Sequence, residues 1–321
     1  MIKSWLIILI TVFLLVSITV TSVKGDEENE RNNAGLILTA PLRTGTNNLL
    51  HSLILIPPLE SAELMEIGKG YIHAGLDYAV GNFKKENGPW FLDYDANLTE
   101  LFVDVRYGVS KTTEFKAGLT SGVLAEDKRE LVLLNGNLAY FSGNRDIGLS
   151  DLYMGLKFRL MGSPNAFGEA EGLPYTGSLS LQLKYPLAEK EDVLSSGGTD
   201  LSIAYVETDK ITENTFVHTQ IGVILTGEAT VFDESLSISN PIFYGAGISS
   251  LVTKDTALIG QIQGNLNAFR EIKVLNKNPL SVQGGFRYTP DSRFFTEGSI
   301  GFGLNSASSD FTMMFSLGSM F

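Results

Sequence analysis

The sequence predicts an all-β protein, a transmembrane antiparallel β-barrel of about twelve strands. Three observations carry that expectation. From residue 71 onward apolar and polar side chains alternate with a period of two, segment after segment, as in strands with one apolar and one wetter face. The segments number about twelve, an even count of the kind found in bacterial single-chain barrels. No stretch beyond the first 25 residues approaches 18 consecutive apolar residues, so a mature chain that spans a membrane has to cross it with strands.

Residues 1–25 read as a signal peptide. Lys3 supplies a positive start, Trp5 to Val20 an apolar run, and Val23-Lys24-Gly25 a small-residue cleavage site, with cleavage near Gly25. A retained membrane-anchoring helix is the alternative. Residues 26–67 follow as an acidic leader (Asp26 to Asn33, DEENERNN) and an apolar N-terminal segment. Within it Leu49 to Ile56 is continuously apolar apart from His51 and Ser52, and Pro57-Pro58 breaks it. Such a run is buried on both sides, as an interior strand or as a segment packed inside a barrel. It has no place in the alternating pattern, so Leu49, Leu50, Leu53, Ile54 and Ile56 are candidates for a plug inside the barrel.

Residues 68–321 form the expected barrel. In 71–80, Ile72, Ala74, Leu76, Tyr78 and Val80 alternate with His73, Gly75 and Asp77; in 99–109, Leu101, Val103, Val105 and Tyr107 alternate with Asp104, Arg106 and Gly108. The same pattern marks 115–124, 150–160, 177–187, 199–206, 215–226, 241–251, 256–266, 280–288 and 293–304. It ends with 311–321, where Phe311, Met313, Phe315, Leu317 and Phe321 share one parity. Gaps alternate between short (110–114, 252–255, 289–292) and long (81–98, 125–149, 227–240, 267–279), as barrels with short turns at one end require. The gap 161–176 is long where a short one is due. Aromatic residues flank the short turns in pairs (Tyr107 and Phe115, Tyr205 and Phe216, Tyr288 and Phe294), which suits an interfacial girdle. A soluble sandwich also alternates, but its strands are shorter and its solvated face carries milder polar residues.

Composition excludes several functions. With no cysteine there are no disulfides, thiolate metal sites, cysteine nucleophile or lipoprotein anchor. A formal charge of −12 leaves no basic patch for nucleic acid. No cofactor and no metal is expected. The polar parity collects both signs: Asp77, Asp104, Asp151, Asp200 and Glu297 against Arg106, Lys116, Lys157, Arg159, Lys184 and Arg287. These side chains line the lumen of a barrel this narrow. They act either as a paired network that holds the interior together or as a polar eyelet that filters solutes.

Enzymatic readings are minor alternatives. His73 and His218 share the inward parity, but His218-Thr-Gln-Ile-Gly222 does not match the Ser–His arrangement of the outer-membrane phospholipase, and no Gly-x-Ser-x-Gly elbow occurs. Asp93 and Asp95, beside Trp90 and Phe91 in the first long gap, offer a carboxylate pair for Ca²⁺ or hydrolysis and read more simply as solvated loop charges. Gly68-Lys-Gly70 is too short for a phosphate loop.

Three local resemblances point the same way. The last eleven residues, closing on Phe321, resemble the signal that outer-membrane barrels present to their assembly machinery. Asn47-Asn-Leu-Leu50 followed by Pro58-Leu-Glu-Ser-Ala62 is similar to the opening of an uncharacterised family of bacterial outer-membrane proteins. Gly148 to Lys157, with Lys184-Tyr-Pro186 and Gly197-Gly-Thr-Asp200, resembles the transporter-like barrels associated with fatty-acid or aromatic-compound uptake. These resemblances imply a Gram-negative outer-membrane location. The partners they imply are the lipid bilayer, the assembly machinery and a small-molecule solute. The expected function is a passive channel for small solutes, hydrophobic ones included. The alternative is a closed barrel with a structural or surface-binding role through its external loops.

Overall fold

A computed structural model of the chain describes residues 37–43, 56–87, 90–132, 138–141, 145–162, 175–187, 198–227, 229–231, 234–236, 239–266, 278–291, 293–305 and 307–321. Fifteen strands form: β1 (Gly70–Asn87), β2 (Trp90–Ser110), β3 (Thr113–Val132), β4 (Leu138–Phe141), β5 (Arg145–Met161), β6 (Tyr175–Pro186), β7 (Asp200–Thr212), β8 (Thr215–Leu225), β9 (Ala229–Val231), β10 (Glu234–Leu236), β11 (Ile242–Thr253), β12 (Thr256–Asn265), β13 (Leu280–Tyr288), β14 (Phe294–Gly303) and β15 (Phe311–Met320). Twelve of them pair antiparallel in chain order and close on themselves. The short β4 adds to β3, and β9 and β10 make a separate hairpin.

Closure runs from Tyr71 opposite Met320 to Val80 opposite Phe311. At its lower end Phe321 and Gly70 exchange two backbone hydrogen bonds of 2.9 Å. An added Cβ on Gly70 would strike the Phe321 ring and the Arg106 carbonyl, so the seam closes tightly only around a glycine.

The period of two sets which side chains meet lipid. Leu76, Ile221, Ile248, Leu258, Met313 and Phe315 are each at least half exposed on the outer face, as a belt against hydrocarbon requires. Inward neighbours such as Asp77, Lys157, His218, Gln261 and Glu297 are buried. Glycines let large inward rings lie flat across the ladder: Phe102 on Gly75, Tyr153 on Gly118, Phe243 on Gly222 and Phe295 on Gly318.

The structure corrects two expectations. The gap 81–98 is no loop: β1 and β2 stay paired as far as Asn87 opposite Trp90, and Asp93 and Asp95 lie on β2. Likewise β3 runs on to Val132 and β5 begins at Arg145. Alternation in the sequence stops short of the strand ends, whereas the backbone ladder continues, so the sequence pattern marks part of a strand and not its end. β1 loses its β15 neighbour above Val80, which leaves a tall wall at the long-loop rim. Second, Phe216 faces inward and is buried, while Tyr107, Tyr288 and Phe294 face out. Phe216 shares the inward parity of His218 on β8, and so follows strand parity and not its nearness to a turn.

The interior is filled by the chain's own N-terminal side. Residues 37–39 make one helical turn and 40–43 continue extended; a second stretch, 56–66, crosses the lumen before Gly68, at φ 76°, turns it into β1. Gly108 makes this entry possible, because a Cβ there would overlap the carbonyls of Met65 and Glu66. Three small apolar clusters dock the two stretches on the wall. Ala62 sits with Val206, Ile224 and Phe243, and Ile56 packs against this group. Ile37 and Met65 sit with Phe295 and Met320, and Leu38 and Leu42 with Ala257 and Ile259. Each such aliphatic side chain contributes roughly 1.5–3 kcal/mol when fully buried.

Candidate functional site

The candidate site is the interface between the two inner stretches and the wall, in the half of the barrel nearer the short turns. That depth is fixed by contacts with Glu114, Arg287 and Phe295, which lie within two residues of strand ends.

Arg287 on β13 organises the first stretch. One helical turn leaves its last carbonyls without intrahelical donors. The guanidinium supplies donors to the carbonyls of Ala40 (2.6 Å) and Pro41 (2.9 Å) and a second one to that of Ile37, which already accepts the Ala40 amide at 3.2 Å, while its Nε bonds Glu297 at 2.8 Å. The other Glu297 oxygen accepts the Arg43 amide at 2.9 Å. Gln261 then pairs with Leu42 as a strand would, accepting from its N–H (3.0 Å) and donating to its carbonyl (3.1 Å). Arg43 lies 3.6 Å over the Phe102 ring and donates to Asp104 at 2.7 Å. Burial opposes its charge, yet Asp104, Glu100 and Asp77 outweigh that and hold its pKa above the ordinary value.

The second stretch is held from the opposite wall. Glu60 pairs with Lys116, which also donates to Ser180 at 2.8 Å, and the Glu60 amide donates to Gln220 at 2.9 Å. Burial alone would raise Glu60, but Lys116, then Arg106 and Lys157, keep it well below the usual carboxylate range. Lys157 donates to the Ser61 carbonyl at 3.1 Å and sits 3.1 Å from Glu114, whose other oxygen accepts the Met65 amide at 2.9 Å. Glu63 differs: burial pushes its pKa up to about 7, only partly offset by Arg159, Lys157 and Lys210.

His218 joins the two stretches. Its Nε2 lies 2.9 Å from the Thr39 carbonyl, so that nitrogen carries the proton; its Nδ1 then accepts from Thr208 at 3.0 Å, whose hydroxyl accepts the Ala62 amide at 2.8 Å. One neutral tautomer satisfies every bond. Ser249 lies 3.2 Å from Nε2, but it donates to the same Thr39 carbonyl, both residues are buried, and Nδ1 meets a hydroxyl instead of a carboxylate. This contact therefore lacks the geometry of a nucleophile and its base.

Among the expected lumen residues, Asp104, Arg106, Lys157, Arg287 and Glu297 converge on the inner stretches, directly or through Glu114. Lys184 joins Asp200 (2.9 Å) and Asp151 (4.0 Å) nearer the long loops. Arg159 donates to the Lys111 carbonyl at 3.0 Å beside a short turn. Asp77 is buried, and neither of its oxygens has a hydrogen-bond partner. His73 faces inward and lies 2.6 Å from Ser316. Ile56 packs as an interior residue, while Leu49, Leu50, Leu53 and Ile54 lie outside the described residues. Sequence reading missed Arg43, Glu60, Glu114, Gln261 and Thr208. The available signal was the apolar set on the inward parity (Val206, Ile224, Phe243, Ile259, Phe295), which requires something to cover it.

Between the two stretches and the wall a cavity of about 60 Å³ remains, room for about two waters. Among the described residues no group of three or more His, Asp or Glu side chains is placed to hold a metal ion.

Fold and interior together define a class: a transmembrane β-barrel whose bore holds its own N-terminal stretch. No family model and no curated protein matches the sequence. Among solved structures, the chain is similar to an outer membrane channel from Pseudomonas putida F1, at 10% identity and a TM-score of 0.60, over 81% of this chain and 98% of that one. That likeness is one of fold. Weaker matches include the TodX monoaromatic hydrocarbon channel, as a deltaS2S3 mutant (12% identity, TM-score 0.46, 88% and 95% covered), and the KdgM porin (5%, 0.46, 77% and 98%).

Proposed function

We propose that the chain is an outer-membrane protein acting as a passive channel for small solutes, with residues 34–67 as its plug. The observation that carries this reading is a bore lined with polar and charged groups and occupied by a separate stretch of chain. A barrel serving only as a scaffold has no need of an inner segment, and an apolar filling would be more stable than buried ion pairs. The fold it shares with an outer-membrane channel supports the same reading. Residues 1–25 serve for export in this reading, and Phe321 marks the strand read by the assembly machinery of a Gram-negative outer membrane.

Single-channel conductance of the refolded protein, with and without residues 34–67, tests the proposal. Larger, salt-dependent steps in the shortened form support it; equal conductance removes the plug. A folded barrel silent in both forms favours the second reading, a closed barrel acting through its outer surface. The small residual cavity and the tall β1–β3 wall are what favour that alternative.

A further inference from the structure

The second inner stretch carries a carboxylate into a cradle built by the wall. Lys116 on β3 donates to one oxygen of Glu60 and, at 2.8 Å, to the Ser180 hydroxyl on β6. That hydroxyl donates in turn to the other Glu60 oxygen at 3.5 Å. Arg106 on β2 and Lys157 on β5 add their charges at longer range. Glu60 and Lys116 are both almost fully buried. Four strands thus aim donors or positive charge at one point, and the acid that fills it belongs to a separate stretch of chain.

The balance of the cradle depends on that acid. Lys157 has a wall acid of its own, Glu114 at 3.1 Å. For Lys116, Glu60 is the one carboxylate acting on it among the described residues, while Arg106 and Lys157 repel it. With the stretch away from the wall, Lys116 keeps two like charges beside it and loses the acid that offsets them. Arg106 has donors to spare even with the stretch seated. Its contacts are Glu114 at 3.7 Å, beyond hydrogen-bonding range, and the Tyr71 ring. Glu60 and Asp104 act on it from farther off. Arg106 and Glu60 line the same cavity of about 60 Å³, enough for the carboxylate group of a small acid.

We propose that this cradle is a binding site for a small organic carboxylate, with Glu60 as its internal occupant in the plugged barrel. The site stands on geometry, and its consequence for transport rests on the channel reading. An incoming carboxylate meets Arg106 in the cavity, replaces Glu60 on Lys116 and Ser180, and so favours the unseated second stretch. A ligand shifts such an equilibrium only by its preference for one state. Here the preference is built in, because Glu60 and the ligand use the same donors. A carboxylate fits better than a halide, since Lys116 and Ser180 serve two oxygens of one planar group. On the channel reading the solutes are organic acids that open their own path.

Chemical rescue tests the site. Glu60→Ala empties the cradle and leaves Lys116 and Ser180 in place. At constant ionic strength and neutral pH, sodium acetate should raise the unfolding midpoint of this variant above its value in sodium chloride or sodium phosphate. Adding Lys116→Met should abolish the difference. No acetate effect in Glu60→Ala, an equal effect of phosphate, or an effect that survives Lys116→Met overturns the site. The parent barrel gives a second readout that needs no variant to fold. Acetate should speed amide hydrogen exchange across residues 60–65 several-fold over chloride, because the Glu60, Ala62 and Met65 amides bond the wall only while the stretch is seated. Unchanged exchange overturns the displacement of Glu60. Single-channel recording separates the site from the channel. Longer open times in acetate than in chloride support both, while a silent barrel that still shows the rescue removes the channel reading and leaves the site.

Discussion

Replacing Arg287 by methionine should unseat the first inner stretch while leaving the barrel closed. The side chain of similar length keeps the packing near Phe295 but removes every donor. Glu297, fully buried, then loses its ion-pair partner, and the carbonyls of Ala40 and Pro41 lose the donor that caps them, while that of Ile37 keeps the Ala40 amide. Stranding one member of a buried pair costs roughly 3–5 kcal/mol. Each uncapped carbonyl that stays dry adds about 1–3 kcal/mol. Even if water reaches both carbonyls, the seated state weakens by about 4 kcal/mol, a change of roughly a thousandfold in the seating equilibrium. Arg43 provides the readout, since it is protected by the wall when seated and a trypsin site when released. Where opening is fast relative to cleavage, the cutting rate follows the open population. The variant should therefore be cut at Arg43 about a thousandfold faster than the parent, with the barrel still folded by its gel mobility. Adding Glu297→Gln removes the stranded charge and should restore much of the protection. Parental cutting rates in the single variant, with an intact barrel, would refute the idea that this guanidinium holds the stretch.

Seating should also depend on pH through Glu63. Its pKa is raised from 4.5 to about 7 when seated, so its contribution is fully present below pH 4.5 and is lost as pH rises toward 7. The loss amounts to about 3 kcal/mol, and Glu63→Gln should abolish this pH dependence of the cutting rate at Arg43. Glu60 works in the opposite sense: its lowered pKa gives a contribution present above pH 4.5 and lost in stronger acid, so Glu60→Gln should flatten the acid limb. His218→Phe should cost only about 1–2 kcal/mol, or roughly tenfold in cutting, because Ser249 still serves the Thr39 carbonyl and Thr208 the Ala62 amide. A loss as large as that for Arg287 would contradict this ranking. Gly318→Leu should lower the unfolding midpoint of the barrel itself, since the Phe295 ring occupies the place of the new side chain, at a cost of about 1–3 kcal/mol or more. Unchanged midpoints would mean that the ring has somewhere else to go.

The sequence alone determined the barrel, its strand number and which side chains face inward, because a period of two leaves a strand no freedom: one parity meets lipid, the other the bore. Segment 280–288 coincides with β13, and Asp77, Lys157, Lys184, Arg287 and Glu297 all face the side their parity assigned. Backbone pairing does not need that alternation, and so β1, β2, β3 and β5 outrun the segments read for them. The tertiary structure decided who meets whom. Arg287 finds carbonyls about 250 residues away and Gln261 a backbone 219 residues away, and no local propensity encodes either contact. Parity places Arg287 in the bore, but only closure of β1 on β15 brings the N-terminal stretch within its reach.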